Sequence, residues 1–366
     1  MPDTPSPGAD LRGAARLAAD ATAGLADLVE AMHERIARLP GSGAALDGRT
    51  GGITGLVYKT IRGVTRVAGG SVDALLGVIA PALGRYGDGA ERDAIVAALN
   101  GVLGDYLAAS GNPLVQAMQL RCAAVPGPRA LVLLHGLCMN DRQWLRNGHD
   151  HGAALARDLG WTPIYLRYNS GLPIAANGLA FAQRLETLLA EWPVPLQRLA
   201  IIGHSMGGLV ARSAVDAAMR AGMAWPKRLD DLVFLGTPHH GAPLERAGHW
   251  VETVLGATPY ATPFARLGRV RSAGITDLRH GLSGLPLPEG VRCCAAAACL
   301  GAPGRALKEK LLGDGLVPLD SALGRHAEAA LTLAFAPDRQ WTAYGTGHLE
   351  LLSSAEVYAQ LETWLG

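Results

Sequence analysis

The sequence has little of what marks the specialised classes of protein. Its opening stretch, MPDTPSPGAD, has neither a basic segment nor an apolar one, so no signal peptide is expected. No charge-free apolar run is long enough to predict a membrane span. The five cysteines, Cys122, Cys138, Cys293, Cys294 and Cys299, are odd in number and lack metal-ligand spacing. Together these absences predict reduced thiols in a cytoplasmic protein. Neither sign of charge dominates, and a net charge of +1 gives no bulk attraction for nucleic acid. There is no dinucleotide-binding glycine fingerprint, no Walker loop and no zinc spacing, so no cofactor and no metal are expected. Internal repeats and low-complexity tracts are also missing. What is present is apolar substance: 49% of the 366 residues are hydrophobic and 18% charged, enough for a large core and an extra element.

One stretch organises the rest. Leu199 to Val210 reads L-A-I-I-G-H-S-M-G-G-L-V. Its apolar start predicts a short buried strand, Gly203–Gly207 a sharp turn, and Leu209, Val210 and Ala211 the start of a helix. A serine on so tight an elbow crowds its neighbours two residues to either side, which glycine relieves. The turn lifts the Ser205 hydroxyl above the sheet edge at a helix N-terminus, where developing negative charge is favoured.

Before this stretch the pattern is helical. Leu11, Ala14, Ala18, Ala21, Leu25, Leu28 and Met32 recur at three- and four-residue steps, predicting an amphipathic helix within residues 11–39. A second is expected over 53–68, with Lys59, Arg62 and Arg66 on a face of their own. That basic face reads as a solvated surface or as a peripheral contact with an anionic membrane. Two more helices are expected near Val72–Leu83 and Ala90–Leu107. Ala- and Gly-rich seams favour close helix packing, within one chain or in a dimer. Residues 1–111 are therefore set apart as an N-terminal helical region, with Ser110–Pro113 as the joint to a domain over 112–366.

From there strands and helices alternate. Strands are expected at 120–124, 130–134, 163–168, 199–202, 232–235, 291–299 and near 330–335. Helices are expected at 152–159, 176–192, after Ser205 and at 354–365. Such alternation predicts an α/β fold, a mostly parallel sheet with helices on both faces. Residues 242–290 fall between two strands and carry Trp250, Val254, Leu255, Tyr260, Phe264 and Leu267, which predicts a cap insertion that favours an apolar acyl substrate.

Five pieces stand out: H-G-L at 135–137, G-H-S-M-G-G at 203–208, G-T-P-H-H-G at 236–241, G-D-G-L-V-P at 313–318 and G-H-L at 347–349. In them the chain from about residue 118 to 366 resembles the α/β-hydrolase superfamily in its bacterial lipase and esterase branch. The third piece is similar to the stretch in triacylglycerol lipases and in hydrolases related to the GPI inositol deacylases. The resemblance implies the α/β-hydrolase fold and the chain order nucleophile, acid, histidine. With Ser205 as nucleophile, His348 is the expected base, because it alone lies between the last expected strand and the closing helix. His239 and His240 precede the acid and are read as a loop beside the elbow. Asp314, between two glycines, is the expected acid; Asp320 is the runner-up and reads as a helix cap. Backbone N–H groups of Met206 and, by the resemblance, Leu137 are the expected oxyanion hole. Cys138 should lie near the pocket.

The function this implies is a serine hydrolase cleaving small-molecule or lipid esters through an acyl-enzyme. A thioesterase stays open beside it. So does a non-catalytic hydrolase-fold module that binds a membrane surface or a partner through the N-terminal helices.

Overall fold

The computed structural model describes residues 13–16, 89–242, 272–303 and 313–366. The helices expected before residue 89, their basic face and the apolar residues expected at 250–267 otherwise lie outside the described residues. Two compact units divide the chain, Met1–Arg92 with Ala109–Leu114, and Asp93–Ala108 with Val115–Gly366. This differs from the expected joint at 111/112: residues 93–108 belong to the unit of the sheet. In the first unit, residues 13–16 are helical and Asn112 Nδ2 donates to Gly13 O at 3.0 Å.

The second unit is built on a seven-stranded sheet: β1 (Gln119–Cys122), β2 (Arg129–Leu134), β3 (Thr162–Arg167), β4 (Arg198–His204), β5 (Leu229–Leu235), β6 (Arg292–Cys299) and β7 (Gln340–Tyr344). Their order is β1-β3-β2-β4-β5-β6-β7, with β1 antiparallel to β3 and the other pairs parallel. The inner strands need no polar face. Ala130 to Leu134 are fully buried, as are Leu199 to Ile202 and Leu232 to Leu235, because helices cover both sides.

The helices are α1 (Ala90–Ala109), α2 (His151–Leu159), α3 (Ile174–Ala190), α4 (Met206–Arg220), α5 (Ala273–His280), the short α6 (Leu319–Ala322) and α7 (Ala355–Leu365). One face of the sheet, carrying Leu131, Leu133, Ala200, Ile202, Val233 and Leu235, packs with Leu155 of α2 and Val357, Leu361 and Leu365 of α7. α4 packs on the sheet and against α3. Caps fix where helices begin: the Asp150 carboxylate accepts from Ala153 N, and Ser354 Oγ from Val357 N. One edge is tied by ions. Buried Asp141 takes Arg121 Nε at 2.9 Å and Arg167 Nε at 2.5 Å, and Arg167 Nη2 reaches Asp93 of α1 at 2.9 Å.

One expected strand is elsewhere. Residues 330–335 do not pair with the sheet: Ala329–Leu331 is a 3-10 turn, and the strand beside β6 is β7. The alternation at Leu331, Leu333 and Phe335 serves a loop instead. Leu333 N donates to Gly324 O at 2.8 Å, and the Phe335 ring meets Phe234 edge-on. β7, Q-W-T-A-Y, is half-buried along most of its length and lacks a strong apolar signal.

The topology dictates where a site can form. β2 has β3 on one side and β4 on the other, so the connections leaving their C-terminal ends diverge and open a crevice there. Residues 135–138 follow β2 into that crevice, and Ser205 follows β4.

Candidate active site

β4 runs straight into α4 with only Ser205 between them. Ser205 has φ 55 and ψ −125, a left-handed conformation strained for any residue with a side chain. The strain is held by the fold, with Ser205 N donating to Leu235 O at 2.8 Å and Gly208 N to Ser205 O at 3.1 Å. The flanking glycines are there for close approach. A Cβ on Gly203 would stand 2.5 Å from Gly208 N, and one on Gly207 would stand 2.6 Å from His135 O. Ser205 itself is buried, and its Oγ has no hydrogen-bond partner among the described residues.

His348 and Asp314 arrive from separate loops, after β7 and β6. His348 Nδ1 lies 2.5 Å from Asp314 Oδ2, both side chains being almost fully buried. The backbones are joined as well, His348 N donating to Asp314 O at 3.3 Å. The other carboxylate oxygen, Asp314 Oδ1, accepts from Leu316 N at 2.9 Å and Val317 N at 2.7 Å. The carboxylate is therefore clamped at both oxygens, which fixes the imidazole it faces. The turn needs its glycines: Gly313 and Gly315 have φ of 49 and 92. Asp320 is not part of this arrangement. It sits inside the first turn of α6 rather than at its cap, which is Pro318.

A histidine not considered in the sequence reading joins these loops to the elbow. His204, immediately before Ser205, donates from Nε2 to His348 O at 3.2 Å, and the two rings lie 4.8 Å apart. Burial first, then the neighbouring His348, depress its pKa well below the ordinary histidine value, so it is neutral. On its other side it meets the loop after β2: a Cβ on Gly136 would lie 3.2 Å from His204 Nδ1 and from Ser205 Cβ. The same loop is shaped by His135, stacked on Tyr168 at 4.2 Å. Tyr168 N donates to His135 Nε2, so His135 carries its proton on Nδ1, which donates to Gly136 O at 2.9 Å. Burial lowers its pKa to about 4 and keeps it neutral.

Leu137 follows on this loop, and Met206 opens α4, where a first-turn N–H has no intrahelical acceptor. Cys138 comes next, and its thiol is inert, buried with its pKa pushed up to about 12. His239 is also buried, but its Nδ1 accepts from Arg212 Nη1 at 3.1 Å. His240 Nδ1 instead meets Ser283 Oγ at 3.1 Å. No group of histidine, cysteine, aspartate and glutamate suited to a metal occurs among the described residues. No helix among them is long and apolar enough to cross a membrane.

A family model described as a PGAP1-like alpha/beta domain matches residues 182–262, from within α3 through the elbow and beyond β5. Sheet order, strained elbow and family model agree. The protein has the α/β-hydrolase fold. Among solved structures the hydrolase fold is similar to a Bacillus licheniformis lipase, BlEst2, in its mature form, at 18% identity and TM-score 0.46 over 68% of this chain and 98% of that one. It is also similar to the Pyrococcus furiosus esterase Pf2001, at 12% identity and TM-score 0.42 over 69% and 85%. A lipase-esterase related protein from Clostridium acetobutylicum follows at 14% identity and TM-score 0.38 over 67% and 98%. Among curated proteins, none matches the sequence.

Proposed function

We propose that the protein is a serine hydrolase that cleaves carboxylic esters with apolar acyl groups. The observation that carries this reading is the buried His348–Asp314 pair at 2.5 Å, tied through His204 to the strained Ser205 elbow. A serine alcohol needs a base to become a nucleophile. The Nδ1–H of His348 donates a hydrogen bond to Asp314, which leaves Nε2 as the ring's basic nitrogen.

Ser205 Oγ then attacks the ester carbonyl carbon while its proton passes to His348. The tetrahedral intermediate's oxygen takes the backbone N–H groups of Leu137 and Met206; each such donor is worth about 3 kcal/mol in other enzymes. Collapse breaks the ester C–O bond, and His348 returns the proton to the departing alkoxide. Water, deprotonated by His348, attacks the acyl-enzyme, releases the carboxylate and restores Ser205. His348 becomes an imidazolium in each half, stabilised by an Asp314 that stays ionised. The apolar residues of 242–290 support an acyl rather than a charged substrate.

A chain-length series of p-nitrophenyl esters, beside a matched thioester and anilide, tests the substrate class. The expected order is ester over anilide, with kcat/KM rising with acyl length before it falls. A thioester preferred by more than tenfold would make the protein a thioesterase. No turnover of any of the three by folded protein would contradict the proposal.

A further inference from the structure

α1 comes before the sheet in sequence, yet its 93–108 segment lies against the loops at the C-terminal edge of the strands. Asn169 Nδ2 donates to Gly104 O at 2.9 Å, Ser272 Oγ to Gly101 O at 2.7 Å, and Ala273 N to Asp105 Oδ2 at 3.0 Å. Gly101 faces Cys138, the residue after Leu137. A Cβ on Gly101 would overlap Cys138 Sγ and stand 2.8 Å from both Cys138 Cα and Cys138 N. Those last two are backbone atoms, so relief requires the loop itself to move. Cys138 is also one of the few non-glycine residues with positive φ, at 59. Its N–H donates to Ser170 Oγ at 3.0 Å inside the protein. The loop that carries Leu137 is therefore gripped at a strained residue, by a helix backbone on one side and a hydroxyl on the other.

We propose that Gly101 and Ser170 are positioning residues that hold the Leu137 N–H in place beside the Met206 N–H. The proposal rests on the ester-hydrolase reading above. It makes α1 a working part of the active site: a strained residue persists only where its surroundings over-determine it, and here those surroundings are α1 and Ser170. Misplacing an oxyanion donor weakens transition-state binding while leaving ground-state binding alone, so the signature is a fall in kcat with KM unchanged.

The test uses the full chain and compares Ser170→Ala, Gly101→Ala, Gly101→Ala with Cys138→Gly, and Gly178→Ala. Gly178 is the control, a close approach between α3 and α4, where a Cβ would stand 2.5 Å from Ser213 Oγ. Turnover of p-nitrophenyl butyrate, inhibition by an alkyl boronic acid as a tetrahedral mimic, and thermal midpoint are measured for each. Ser170→Ala and Gly101→Ala are expected to lose about ten- to a hundredfold in kcat and the same factor in boronate affinity, with KM within about twofold. Cys138→Gly is expected to restore part of the Gly101→Ala loss, because glycine shifts at positive φ without strain. Gly178→Ala is expected to lower the midpoint and leave kcat alone. If Gly101→Ala does not fold, Ser170→Ala decides. Active wild type with an unchanged, folded Ser170→Ala, or a Gly101→Ala variant that loses only stability, overturns this proposal and leaves the ester reading standing. Wild type that neither turns over esters nor binds the boronate overturns both.

Discussion

His348 and His239 are two buried histidines near one elbow, each meeting a charged side chain through Nδ1. His348 faces the carboxylate of Asp314; His239 faces the guanidinium of Arg212. The partner decides the ring's chemistry. A carboxylate accepts a hydrogen bond from Nδ1–H and steadies the ring when Nε2 takes a second proton. A guanidinium only donates, so His239 must keep Nδ1 bare, and a second proton would place two cations side by side. Burial first, then Arg212, hold its pKa well below the ordinary value. Arg212, for its part, meets no carboxylate among the described residues; it donates to His239 and to Leu282 O and Leu285 O, and burial lowers its pKa to about 10. On the proposed reading His348 cycles a proton, whereas His239 is held neutral.

Substitutions should separate the pair widely. His348→Ala is expected to cost on the order of a millionfold in kcat, as in other triads, measured on p-nitrophenyl esters. His239→Phe is expected to leave kcat within about tenfold and to cost about 1–3 kcal/mol of stability in urea, because Arg212 loses an acceptor. Equal losses of kcat would break the comparison. One step out, Asp314→Asn should lower kcat by about 10,000-fold with little change in KM, by presenting the wrong tautomer. Arg212→Met should act on stability instead, by about 3 kcal/mol, since it strips a donor from the buried His239 ring and from two part-buried carbonyls.

Legibility follows the same divide. The elbow at Ser205 and the meeting of Asp314 with His348 were readable because they rest on local turn chemistry and on sequence order, and the alternating apolar runs gave most of the sheet. β7 was not, since an edge strand of polar and aromatic residues carries less apolar signal than the loop before it. The role of Arg212 was hidden for a different reason. It lies seven residues beyond Ser205, on the same side of α4, and nothing local says which loop will cover it. His204 was adjacent to the serine, but its partner is a backbone carbonyl far along the chain, and backbone groups leave no trace in residue identity. Gly101 looked like one more small residue in a helical seam; only its contact with Cys138 gives it a role.

The neutral histidines also set a pH response. The pKa values of His135 and His151 are lowered by burial from 6.5 to about 4. The unfolded chain takes up protons near pH 6.5 and the folded one only near 4. Their contribution to stability is therefore complete above about pH 6.5 and is lost as pH falls toward 4. Urea unfolding at pH 7.5, 6 and 5 should show this decline, and a flat profile would mean that these rings are solvated. The smallest effect is expected at Asp320, where Asn should change kcat by less than about twofold, since Asp314, not it, would serve His348. A large loss there with an intact Asp314→Asn variant would transfer the acid's role.

The central claim is that the His348–Asp314 pair makes Ser205 a nucleophile. Labelling of folded, full-length protein with a fluorophosphonate, followed by peptide mass mapping, tests it most directly. The expected result is a single adduct on the peptide containing Ser205, abolished by Ser205→Ala and strongly slowed by Asp314→Asn. Folded wild-type protein that takes no label, or takes it at another residue, would contradict the account.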